Sequence, residues 1–336
     1  MLSTLKNLFS SPPVESEPAT RTPQGRGQHN KKVKPDPRPA GVSTIEIDTA
    51  FYGLILGVQS PIDSDLNDFE KRVLRELDHL LTSDISHSSL VPRLPAVIPR
   101  VMGTLRDQSS SSADLASQLG RDAVLVSEVI RLSNSPCYRV AQNVTSLERA
   151  VFVLGQAGVR QLVVNAAFKP LINLNSGHFT KLSGTTLWDQ SEKTAIVCDC
   201  LARQVKTDRF NAYLMAIVQN VGFTVALQIL DRNFDGSQAP HSQLFHERLI
   251  NRSRELSWVI AKQWEFPATV LDALESQMDT KHMQKSGRLL FTGDQLSKIH
   301  ILSTHGRFKD EANRVANRLQ RRLAYSCKGC YDVLSD

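Results

Sequence analysis

"LMAIVQNVGFTVA", residues 214–226, decides how this chain is read. The segment extends over 211–230, with no charged residue from Ala212 to Leu230. A helix that is apolar on every side belongs at the centre of a core. Two neighbouring amides, Gln219 and Asn220, sit at its middle. A buried amide without a partner costs about 1–3 kcal/mol, so the pair needs a reason.

Helical spacing continues on both sides. "TTLWDQSEKTAIVCDCLARQV" (185–205) places Leu187, Thr194, Val197 and Leu201 on one stripe, and Gln190 falls on that stripe. "FHERLINRSRELSWVIAKQW" (245–264) is a further helix, and another begins at Pro267. "FTGDQLSKIHILS" and "KDEANRVANRLQRRLAYS" add two more. Upstream, "SDLNDFEKRVLRELDHLL" (64–81) has Leu66, Phe69, Val73, Leu77, Leu80 and Leu81 in register, with Ser64 or Asp65 as its cap. "NVTSLERAVFVLG" (143–155) offers a capping box from Thr145 to Glu148, and Gly155 stops the helix. A loop is expected over 173–184. Aromatics make up 6% of the chain and no β-branched alternation recurs, so the expected class is all-α.

The net charge is +6. Residues 1–40 carry +4 of it, leaving a near-neutral body. Residues 10–42 are rich in Pro, Ser, Gly and basic side chains, cannot offset their ordering entropy, and read as a disordered tail. A basic tail on a neutral body is weak ground for DNA binding. Two short helices, capped by Ser112 and Asp122, have a helix-turn-helix outline. The second is lined by Val124, Leu125, Val126, Val129, Ile130 and Leu132, with Arg131 its only base, and so reads as core. No stretch approaches the roughly 20 apolar residues of a membrane span. The start is too broken for a signal peptide. The five cysteines have no secreted-frame spacing, so reduced thiols and a cytoplasmic location are expected. Cys327 and Cys330 form a lone CxxC, read as free thiols near a frayed end. Asp199 reads as a solvated helix position. No HExxH, P-loop, GxGxxG or GxSxG motif occurs.

"VPRLPAVIPRVMGTL", "DAVLVSEVIRLSNSPCY" and "VTSLERAVFVLGQAGVRQLV" follow one another in an order that resembles the first half of HDOD domains. The signature is carried by Arg131, Leu132, Asn134, Ser135 and Tyr138. "LWDQS", "AYLMAIVQNVG" and "WEFPATVLDALE" continue the likeness, which covers roughly residues 90–300. The resemblance implies a two-lobed helical domain related to HD phosphohydrolases. A disordered tail over 1–42 and a helical extension over 43–86 would precede it. The domain itself would span 87–300, with lobes at 87–175 and 180–300, and a C-terminal helix at 301–336 would follow.

In an active relative, a histidine, a His-Asp doublet and a later aspartate hold a divalent metal. Here those positions fall on Gln190, Gln219-Asn220 and Asp294. Three amides and one carboxylate are a poor set for a first-row transition metal. The resemblance therefore implies no cofactor, no metal and no catalysis. It implies a bacterial signal-transduction or scaffold protein that binds other proteins, around cyclic-dinucleotide or motility pathways; the groove between the lobes is the candidate docking site, since concave, partly apolar clefts are the usual binding places. No specific nucleic acid is expected. The alternatives are a divergent metal-dependent phosphohydrolase and a nucleic-acid-associated regulator using the basic tail. The four polar side chains either bond to one another or find nearby backbone and water.

Overall fold

The computed structural model describes residues 42–106, 119–120, 123–134, 143–323 and 326–335. The tail expected over 1–42 lies outside them apart from Val42, as do the caps at Ser112 and Asp122 and the signature residues Ser135 and Tyr138. Among the described residues the fold is all-α, with no strand and a single isolated bridge, Ile62 to Ser242.

Two helices precede the family-like region. α1 (Thr44–Ile55) is capped by Ser43, whose Oγ accepts from Glu46 N while Glu46 accepts from Ser43 N. α2 (Asp68–Thr82) buries Phe69, Val73, Leu77 and Leu80. Its cap is Asn67, not Ser64 or Asp65: only Asn67 stands three residues before Glu70, which closes a reciprocal box. α3 (Val97–Arg106), α4 (Ala123–Ser133) and α5 (Leu147–Ile172) build the first lobe. The cap of α5 is Ser146, whose Oγ accepts from Arg149 N, rather than Thr145. Gly155 interrupts α5 with φ 70° and ψ 169°, a conformation open to glycine, and the chain then resumes helix.

α6 (His178–Val205) starts seven residues before the expected position. The reason is a carboxylate far away in sequence. Asp231 accepts from Phe179 N at 2.6 Å, Thr180 N at 3.2 Å and Thr180 Oγ1 at 2.7 Å, which satisfies the orphan donors of the first turn. Gly177 permits this approach, since a Cβ there would lie 2.2 Å from Asp231 Cγ.

The opening segment is two helices, not one. α7 (Arg209–Val218) and α8 (Val221–Asn233) meet at Gln219-Asn220. α9 (Gln243–Gln263), α10 (Ala268–Glu275), α11 (Lys285–Thr304), α12 (Ala312–Leu323) and α13 (Lys328–Asp332) complete the chain, so the C-terminal part holds two helices after α11 rather than one. α11 is buried almost all round, from Leu289 to Leu302.

By length and composition alone, Leu147–Ile172 and Arg209–Asn233 are apolar enough to cross a membrane, contrary to the expectation of none. Yet 89% of the second window is buried inside the protein, where its apolarity makes core, and the first is broken at Gly155.

The cysteines also depart from expectation. Cys200 on α6 and Cys330 on α13 form a disulfide across 130 residues, with their Cα atoms 5.6 Å apart. Packing of α13 on α6 creates that proximity, which no spacing in sequence could show. Cys327 is fully buried, so the C-terminal end is docked rather than frayed. Asp199 is not solvated. It is 6% exposed and accepts from Arg209 (two bonds of 2.8 Å), Arg203 and Gln161.

Because Asp231 supplies the cap that α6 lacks locally, Asp231→Ala should destabilise the protein by about 1–2 kcal/mol. Urea titration will show this as a lower midpoint at unchanged slope, and an unchanged midpoint refutes the capping role.

Candidate functional site: a buried polar chain

The bend between α7 and α8 is the foundation of the site. Gln219 N still bonds back to Met215 O, and Asn220 O accepts from both Thr224 N and Thr224 Oγ1. Ser257 on α9 attends to the groups between them: its hydroxyl donates to Gln219 O at 2.7 Å and accepts from Gly222 N at 2.9 Å. This needs α8 and α9 in contact. A Cβ on Gly222 would lie 2.2 Å from Ser253 O, so only glycine fits. A second close approach seats α11 on α6, where a Cβ on Gly293 would meet Cys198 Sγ at 2.6 Å.

These packings bring together three of the four polar residues read from the sequence. Gln190 Nε2 donates to Asp294 Oδ1 at 2.8 Å, and is also within reach of Thr194 Oγ1 and Ser297 Oγ. Gln190 Oε1 accepts from Asn220 Nδ2, which also donates to Ser191 Oγ at 2.8 Å. Gln190 is fully buried, and Asn220 and Asp294 are each 6% exposed. Gln219 does not join them. Its Nε2 is buried with no hydrogen-bond partner among the described residues. It faces a cavity of about 20 Å³ lined also by Tyr52, Asn220, Arg254, Ser257, Gln277 and Asp294. That is room for one water molecule.

The second oxygen of Asp294 has a partner that the sequence reading overlooked. Lys298, one helical turn on, places Nζ 2.7 Å from Asp294 Oδ2 and 2.8 Å from Asp48 Oδ1 on α1. The Lys298 side chain is 1% exposed. Arg254 on α9 reaches Asp48 Oδ2 at 3.2 Å, and Gln295 Nε2 donates to Asp48 Oδ1 at 2.8 Å. The ammonium also lies over the rings of Tyr52 and Phe51, at 4.7 and 5.5 Å. Burial alone would lower the Lys298 pKa, but the carboxylates of Asp294 and Asp48 outweigh it and hold the group above the usual lysine range. Burial pushes Asp48 up, yet Lys298 and Arg254 bring it below the usual carboxylate value. For Arg254 too, burial works against the charge and Asp48 more than restores it. The result is two cations against two anions. The signal available in sequence was the Asp294–Lys298 spacing of four within an apolar helix. Nothing local marked Asp48 or Arg254.

A divalent metal is what the fold would suggest here, and the residues present do not fit one. The amide oxygen of Gln190 already accepts from Asn220, and both oxygens of Asp294 accept bonds from Gln190 and Lys298. Among the described residues no three His, Cys, Asp or Glu side chains converge to hold an ion.

Three signature residues, Arg131, Leu132 and Asn134, lie among the described residues. Asn134 clamps the end of α4 to the approach of α5: its Nδ2 donates to Val144 O and its Oδ1 accepts from Val144 N, both at 2.8 Å. Arg131 pairs with Glu128, and Leu132 is 9% exposed. A cleft of about 1230 Å³ lies within the first lobe, among Val97, Arg100, Leu125, Arg131, Lys169 and Pro170.

These features define an all-helical domain whose core carries a chain of amides continued by an ion cluster. The HDOD domain model matches residues 91–280, more than half of the chain, and the protein belongs to the HDOD domain family. The fold is shared with an HDOD domain protein of unknown function from Geobacter sulfurreducens, at TM-score 0.56 and 20% identity over 80% of this chain and 94% of that one. It is shared also with a candidate metal-dependent phosphohydrolase from Shewanella amazonensis, at TM-score 0.56 and 18% identity over 80% and 98%. No curated protein matches the chain. α1 precedes the matched segment and α11 follows it, so Asp48, Asp294 and Lys298 all lie outside it.

Gln190→Leu should strip Asp294 Oδ1 of its amide donor and Asn220 Nδ2 of one of its two acceptors in the core, and cost about 2 kcal/mol or more. Chemical denaturation of Gln190→Leu and of the Gln190→Leu, Asn220→Leu double variant will measure it. Unchanged stability in both sinks the network.

Proposed function

We propose that this HDOD protein is a non-catalytic component of bacterial signal transduction, working in the cytoplasm as a scaffold that binds other proteins. One observation carries the reading: the retained carboxylate, Asp294, is taken by the buried ammonium of Lys298. Phosphoryl hydrolysis in an HD-type site depends on a metal to activate water and neutralise developing charge. Here the remaining positions offer uncharged amides that already bond to one another. Such a pocket supplies neither an ionisable water nor a general base. What it supplies is rigidity, since each polar atom of Gln190 fixes a different helix.

The Shewanella relative named for metal-dependent phosphohydrolase activity keeps the enzyme reading in view. At 18% identity its likeness bears on fold alone. The purified protein is expected to hold no stoichiometric Mn, Fe or Zn and to leave bis(p-nitrophenyl) phosphate and cyclic dinucleotides intact with each of these metals added. Bound transition metal together with turnover overturns the proposal. In-cell crosslinking should capture a specific protein partner, and none captured counts against the scaffold role.

A further inference from the structure

We propose that Lys298 is the resident cation of this pocket: its ammonium supplies the positive charge that a divalent ion would otherwise bring, and draws Asp48 of α1 and Asp294 of α11 onto one centre. The inference rests on the non-catalytic reading above and goes further, since it assigns a function to a residue and a helix outside the matched family segment.

The geometry is that of a shared ligand sphere. One nitrogen contacts carboxylate oxygens from two helices at 2.7 and 2.8 Å. Tyr52 Oη stands 3.5 Å away, and the Tyr52 and Phe51 rings shield the remaining side. The lysine stem is buried, so the charge cannot reach solvent as an ordinary surface lysine would. Bonds run without a break from Asn220 through Gln190, Asp294 and Lys298 to Asp48 and Arg254. Removing the ammonium leaves Arg254 on Asp48 Oδ2 and the Gln295 amide 2.8 and 3.3 Å from Asp48 Oδ1 and Asp294 Oδ2, and the acceptors it frees are those two carboxylate oxygens beside the Tyr52 hydroxyl. That is an all-oxygen set. It suits a hard divalent cation such as Ca²⁺, Mg²⁺ or Mn²⁺, which takes carboxylate and neutral oxygens, better than zinc. A simple structural ion pair makes a different prediction, because its loss is not repaired by a cation in solution.

The test uses the full chain. Melting temperature is followed for wild type, Lys298→Ala and the Lys298→Ala, Asp48→Asn double variant, with chelator and with millimolar CaCl₂, MgCl₂ or MnCl₂. Wild type is expected to be unmoved by the cations. Lys298→Ala should melt lower by about 5 °C or more and recover by about 3 °C or more with at least one cation. The double variant, with one carboxylate gone, should not recover. If Lys298→Ala does not fold with chelator, refolding from urea with and without the cations replaces melting. Cation-dependent recovery supports the inference, and none overturns it. Absence of rescue in Lys298→Ala, or equal rescue in the double variant, overturns this inference and leaves the non-catalytic reading standing. Stoichiometric transition metal in wild type removes both.

Discussion

The constraint on which this structure turns is a full positive charge in a helical core. An ammonium moved out of water carries a desolvation penalty of several kcal/mol, and only close, well-directed anions offset it. Lys298 meets that demand from both sides, with Asp294 on its own helix and Asp48 on another. Neither carboxylate is free to relax. Asp294 is held through Gln190 by α6, and Asp48 is held through Arg254 by α9. Once the charge is buried, the positions of four helices follow from it. Losing one member of such a set leaves the others charged and unpaired, which costs about 3–5 kcal/mol in comparable cases.

The uncharged half of the chain answers to a milder version of the same rule. Amides within an apolar helix must find partners, and a regular helix has few to offer. Here the helix gives way at Gln219-Asn220, which turns Asn220 toward Gln190 and leaves Ser257 to meet the freed backbone. Asn220 gains side-chain partners at the break, whereas the amide nitrogen of Gln219 gains none among the described residues. Gly222 and Gly293 make the arrangement possible by letting backbones come together where any side chain would hold them apart.

How much of this could be read beforehand depends on distance along the chain. The all-α class was legible because apolar spacing is local and recurs in each segment. The site positions Gln190, Asn220 and Asp294 were reached through motif order, and the structure groups them; Gln219 it places beside the group, without a bond to it. Helix boundaries slipped where the cap came from elsewhere. Asp231 lies more than fifty residues from the turn it caps, and nothing near His178 announces the helix. Asn67 and Ser146 were missed for a smaller reason, since several capping residues stood side by side. Asp199 looked solvated because two of its three partners, Arg209 and Gln161, belong to neighbouring helices, and only Arg203 lies on its own. The cysteine pair and the Lys298–Asp48 contact span 130 and 250 residues, and only packing reveals them.

The placement of α1 and α11 bears on where the domain ends. The segment matched by the family model stops at residue 280, yet the helix that fills the middle of the second lobe begins at Lys285. Residues 41–336 form one compact unit. A graft of the recognisable stretch into another protein would carry an open trench in place of its central strut. The portable module, for transplantation by recombination or by design, is therefore the longer piece running from Ser43 through the docked C-terminal helix α13.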